Sequence, residues 1–151
     1  TVGPVAIATP AASTICSFDQ TNIALSSNLS STTFSWVSGY TNASDPGSGS
    51  GNTISETLVS NPLNTAGYVT FSITPQWNSC VGDVITAGVY VNAFPEVSTY
   101  SNQTICSGNT SSVYIEGSLP GTKFNWAVSA PNVSGASSAA NVSSPTTIAQ
   151  T

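Results

Sequence analysis

The chain has 151 residues, enough for one ordinary domain or for one small domain with part of another. Only 5 % of them are charged, and the net charge of −5 sets six acidic residues against a single lysine, Lys123, with no histidine. Such a chain lacks the cations that displace counterions from nucleic-acid phosphates or hold an anionic membrane surface. No apolar run approaches the roughly 20 residues of a membrane span, which excludes direct membrane insertion by a helix.

The apolar pattern alternates with a period of two, and no segment carries a helical period of 3.6. Val5 to Ala8 reads as a first strand, Asn22 to Ser26 as a second, and Thr33 to Val37 as a third that places Phe34 and Trp36 on one face. Asp45 to Asn52 holds only Gly, Ser, Pro, Asp and Asn and reads as a loop. Thr53 to Val59 is a weaker fourth strand. Gly67 to Trp77 is a long strand with Val69, Phe71 and Ile73 on one face and Tyr68, Thr70, Ser72 and Thr74 on the other. A turn over 78–83 leads to a last strand, Val84 to Asn92, and Phe94-Pro95 closes the segment. Short strands separated by turn signals over about 90 residues predict an all-β, immunoglobulin-like sandwich. Phe34, Trp36 and Phe71 are its expected core aromatics.

Sliding the chain on itself exposes an internal repeat. Thr14-Ile15-Cys16-Ser17 recurs as Thr104-Ile105-Cys106-Ser107, and Phe34-Ser35-Trp36 as Phe124-Asn125-Trp126, at the same offset of about 90 residues. Past Ser44 the register slips by about four, so that Thr53-Ile54 matches Thr147-Ile148. The domain reading is therefore one complete repeat over 1–94 and the N-terminal part of a second over 95–151. Phe124 and Trp126 are the core aromatics expected in the second copy. That copy has no counterpart of residues 58–93 and is expected to be unstable alone. Thr1 opens directly in β pattern, which reads as a mature or internal segment.

No catalytic constellation can be assembled, and the chain is not expected to be an enzyme. There is no histidine to serve as a base for a serine or cysteine nucleophile, and Lys123 stands alone. The carboxylates Asp19, Asp45, Asp83, Glu56, Glu96 and Glu116 are scattered, without the alternating acidic loop of a calcium site. No cofactor or metal is expected. Tyr40, leaving the third strand, and Trp77, at the end of the long one, are the candidate ligand-contact aromatics, against the plainer reading of edge packing. Tyr100 is expected to pack between repeats. Asn-x-Ser/Thr sequences at Asn28, Asn42, Asn102, Asn109, Asn132 and Asn141 are the chance product of an Asn/Ser/Thr-rich composition.

Five stretches carry a resemblance: Thr-Ile-Cys-Ser, Phe-x-Trp, Tyr68-Val-Thr-Phe-Ser-Ile-Thr-Pro, Asn78-Ser-Cys80-Val-Gly and Val89-Tyr-Val-Asn-Ala-Phe-Pro95. Together they resemble the PKD-like, immunoglobulin-like tandem repeats of large Bacteroidota cell-surface adhesins, including the SprB-like gliding-motility adhesin. The resemblance implies type IX export to the bacterial cell surface and a role as stalk or adhesive repeat. Its partners would be neighbouring repeats, surface polysaccharide or other adhesin chains. The alternatives are a carbohydrate-binding module, which requires a row of coplanar exposed aromatics, and a spacer in a secreted glycoside hydrolase or protease. One departure stands out: the usual Cys-Ser-Gly is Cys16-Ser17-Phe18 in the first copy and Cys106-Ser107-Gly108 in the second.

The cysteines allow two pairings. A bridge between Cys16 and Cys80 inside one repeat would close a loop of about 64 residues and stabilise it by about 4 kcal/mol in the chain-entropy model. If the two turns that carry them lie at opposite ends of the sandwich, each would instead bond a cysteine of a neighbouring repeat. Both pairings remain open from the sequence.

Overall fold

The computed structural model describes residues 3–98 and 102–151. Every regular element in them is a strand. By its contacts the chain divides into two units, Thr1–Phe94 and Pro95–Thr151.

In the first unit the strands are β1 (Ala6–Thr9), β2 (Ala12–Cys16), β3 (Ile23–Ser27), β4 (Thr33–Thr41), β5 (Ser48–Ser50), β6 (Thr53–Ile54), β7 (Gly67–Trp77), β8 (Cys80–Val81) and β9 (Ile85–Asn92). They form two sheets. One has the order β1-β3-β6; the other runs β2-β9-β7-β4-β5, with β8 folded back on β7. The sheets enclose one core. Ala6, Ile23, Leu25 and Ile54 come from the smaller sheet, and Phe34, Trp36, Val69, Phe71, Ile73, Ala87, Val89 and Val91 from the larger. The alternation of β7 is what aims Val69, Phe71 and Ile73 inward, each fully buried, while Tyr68 and the Thr/Ser residues between them face out. Phe34 and Trp36 are 5 % and 6 % exposed. The all-β sandwich expected from the periodicity is the fold observed.

Three strands depart from the expectation. Residues 12–16 form β2, which pairs parallel with β9, Cys16 opposite Asn92. The chain leaves the smaller sheet after Thr9 and joins the larger one at Ala12, passing through the cis Thr9–Pro10 peptide. Proline cannot donate to a ladder, so it sits between the two pairings rather than inside either. The polar stretch read as a loop contains β5, antiparallel to β4 with Trp36 opposite Gly49. Gly49 lies so close to the Trp36 indole that a Cβ there would come within 2.6 Å of the ring. The turn over 78–83 holds the two-residue β8, Cys80 opposite Trp77. Conversely, the strand expected over 53–59 is cut to Thr53–Ile54, after which single bridges from Gln20 to Thr57 and from Ala43 to Ser60 tie the chain down.

The second unit contains β10 (Val113–Ile115), β11 (Lys123–Trp126), β12 (Ala139–Ser143) and β13 (Thr146–Ile148). β10 pairs with β13, Val113 opposite Ile148, as β3 pairs with β6, Ile23 opposite Ile54. β11 pairs with β12 as β4 pairs with β5. Nothing in this unit corresponds to β7 and β9 among the described residues. As a result none of its described residues is buried, and Phe124 and Trp126, expected in the core, are only half-buried. The Trp126 ring N–H is satisfied by the Ser137 carbonyl at 3.1 Å. Tyr100 lies outside the described residues.

Candidate functional site

The candidate surfaces of the first unit are its two ends and the outer face of the larger sheet. The outer face follows from strand alternation. Thr33, Ser35 and Val37 of β4, Tyr68, Thr70, Ser72, Thr74 and Gln76 of β7, and Thr86, Tyr90 and Asn92 of β9 share it. Tyr68 and Tyr90 stand directly opposite each other on β7 and β9, with ring centroids 4.5 Å apart and planes at 48°. The Tyr68 ring reaches across Gly88, where a Cβ would lie 2.1 Å from its hydroxyl. Only a glycine leaves room for that ring. The tilt keeps the tyrosines from forming a flat platform for a sugar ring.

The candidate aromatics are not brought together. Tyr40, 53 % exposed, pairs with Val69 near one end of β7, whereas half-buried Trp77 ends that strand. Eight residues of strand separate their positions, roughly 26 Å at about 3.3 Å per residue. The Tyr68–Tyr90 pair was missed by sequence reading. Its signal was the alternation of β7 combined with the antiparallel register to β9, and that register is a tertiary fact.

The end where the chain leaves the unit is knitted by buried hydroxyls. Ser17 Oγ donates to the Asn92 carbonyl at 3.0 Å and accepts from the Ser60 N–H at 2.9 Å; the Ser17 and Ser60 hydroxyls lie 2.7 Å apart. Ser60 Oγ donates in turn to the Leu63 carbonyl. Cys16 and Asp19 form a turn in which the Asp19 carboxylate accepts the Cys16 N–H and the Cys16 carbonyl accepts the Asp19 N–H. Phe18 sits in that turn at φ 75°, a left-handed conformation that Gly108 also adopts in the second copy, at φ 84°. Its ring meets Phe94 edge-on, 5.2 Å between centroids.

The opposite end carries the incoming chain and β8. Gly82 packs on Pro4 and Pro75 so tightly that a Cβ on it would fall 2.0 Å from the Pro4 carbonyl oxygen. The Val5 N–H is held by Asn28 Oδ1 at 2.7 Å. Cys80 is at this end, beside Trp77. Cys16, Cys80 and Cys106 are all exposed and unbonded.

Electrostatics adds little. Asp45 is fully exposed; the Ser38 hydroxyl at 2.7 Å and the Gly47 N–H at 2.9 Å hold its carboxyl below the ordinary value of 3.8. These bonds fasten the start of β5 to β4. Among the described residues no three Cys, Asp or Glu side chains converge as metal ligands would.

The profile of the PKD-like domain matches residues 13–95, more than half of the chain. The chain belongs to the PKD-like domain family. The match runs from Ser13 in β2 through β9, so it takes in nearly all of the larger sheet together with β3 and β6. PKD-like domains are structural or adhesive modules and typically non-catalytic. Neither the curated proteins nor the solved structures contain a match to the chain.

Proposed function

We propose that this chain is a stalk segment of a large secreted adhesin, exported by a bacterium of the Bacteroidota and displayed on the cell surface, and that its work is mechanical rather than catalytic. The observation that carries this reading is the placement of the chain ends in the PKD-like domain. The polypeptide comes in beside Gly82 and β8 and goes out past Asn92, at opposite ends of β7. The eleven residues of β7 give that span a length of roughly 35 Å. A domain threaded end to end acts as a spacer, because pulling on the chain loads it along its strands.

Repetition of such units would hold a distal region away from the cell or present weakly binding faces many times, so that avidity replaces affinity. The outer face suits this. It is lined by small hydroxyl side chains and carries almost no charge, which gives it little to attract charged molecules. Neighbouring repeats, surface polysaccharide and other adhesin chains are the partners this reading assigns, with gliding motility or surface attachment as the process served.

The test is the intact mass of the native polypeptide under reducing conditions, together with negative-stain electron microscopy. A chain of several hundred kilodaltons seen as a beaded filament is the expected result. A compact particle below about 100 kDa would overturn the stalk reading and favour a spacer beside a catalytic or sugar-binding domain.

A further inference from the structure

Cys16 and Cys80 cannot bond each other within one unit. Cys16 lies beside Asn92, at the end of β9 that runs next to Gly67; Cys80 lies beside Trp77, at the far end of β7. The ten steps from Gly67 to Trp77 cover about 33 Å, whereas bridged cysteines have Cα atoms about 4.4–6.8 Å apart. The two thiols are nevertheless both exposed. Each marks a different end, Cys80 where the chain comes in and Cys16 where it goes out. Cys106 repeats the Cys16 position in the second copy, within the same Thr-Ile-Cys-Ser sequence.

We propose that these thiols are complementary halves of disulfides between copies of the repeat: Cys80 of one copy bonds the Cys16-type cysteine of another. Any repeat that keeps both positions then offers one thiol at each end, and a bond from the Cys80 end to the Cys16 end leaves neither unpaired. The chemistry is exchange with a low-molecular-weight disulfide. One protein thiol loses its proton and attacks the donor disulfide, expelling a thiolate and leaving a mixed disulfide. The second protein thiolate attacks the protein sulfur of that mixed disulfide, forms the inter-repeat bond and expels the other donor thiolate. Two protein thiols are oxidised and the donor is reduced to two thiols. In the native polypeptide the proposal rests on the stalk reading, which supplies the neighbouring repeat. Between separate chains it does not.

The experiment incubates the folded 151-residue protein with oxidised glutathione and examines it on a non-reducing gel, followed by chymotryptic mapping of the linked peptides. Expected are disulfide-linked multimers in which the Cys80 peptide is joined to the Cys16 or Cys106 peptide of another chain, in preference to Cys80–Cys80. With Cys80→Ser these mixed links disappear. The side chain is exposed and outside the core, so the variant's far-UV circular dichroism should match the parent's. Three results would overturn the proposal: a Cys16–Cys80 link within one chain, Cys80–Cys80 links as frequent as the mixed ones, or monomers capped with glutathione only. Failure of the stalk reading appears separately, as a compact particle in the microscope whatever the thiols do.

Discussion

Phe18 shows how a side chain can stand where the second copy has a glycine without breaking the turn. A left-handed conformation costs a non-glycine residue about 1–2 kcal/mol. An edge-to-face aromatic pair returns about 0.5–1.5 kcal/mol beyond its buried area, and Phe18 makes one with Phe94. The two nearly cancel, so Phe18 holds the conformation that the second copy assigns to Gly108. Its neighbour Ser17 is less replaceable. Ser17→Ala removes the acceptor of the buried Ser60 N–H and the donor to the Asn92 carbonyl. It should lower the unfolding free energy by about 1–3 kcal/mol, the usual cost of a stranded buried polar group. Urea denaturation of parent and variant measures it; a change within about 0.5 kcal/mol, the scatter of neutral surface changes, would mean the hydroxyls are not coupled as described.

Strands with a strong two-residue period were legible, and those defined only by a neighbour were not. β7 was read at its observed limits because eleven residues alternate cleanly. β2 shows no two-residue alternation of apolar and polar residues, β8 is too short to show one, and β5 holds no apolar residue: Ser48-Gly49-Ser50 becomes a strand because β4 lies beside it and Trp36 needs a surface without a Cβ. The same dependence on neighbours separates two equivalent aromatics. Phe34 lies in the shared core on a strand paired with both β7 and β5; Phe124 lies on a strand paired, among the described residues, with β12 alone. Phe34→Ala should therefore cost about 3–5 kcal/mol in the cooperative unfolding of the 151-residue protein, the range for a buried phenylalanine. Phe124→Ala should cost less than about 1 kcal/mol, as surface changes do. Equal losses for the two would show that the second unit is buried in solution.

The two units differ in what they can sustain alone. The first has two sheets closed over a core of fourteen buried apolar residues. The second has two separate two-stranded sheets and no buried residue among those described. Two-stranded ribbons are marginal in water without a further layer. A fragment of residues 1–94 should melt cooperatively with a β-type circular dichroism spectrum. A fragment of residues 95–151 should show no cooperative transition. A sharp melt of the second fragment would mean that it finds an ordered state from its own residues.

Composition and periodicity alone were enough to establish an all-β chain with almost no cations, its inward-facing residues on β4 and β7, and the recurrence of one pattern about 90 residues on. These are local properties, because alternation along a strand needs no knowledge of what lies beside it. The pairing of strands is not local. The sequence left the Cys16–Cys80 question balanced, and the parallel register of β2 on β9, with β8 returning on β7, places those thiols a strand length apart. It likewise set Tyr68 against Tyr90, while Tyr40 and Trp77, equally aromatic on paper, fell at opposite ends. Register and sheet order depend on contacts between residues far apart in the chain, and such contacts leave no period in the sequence for a reader to count.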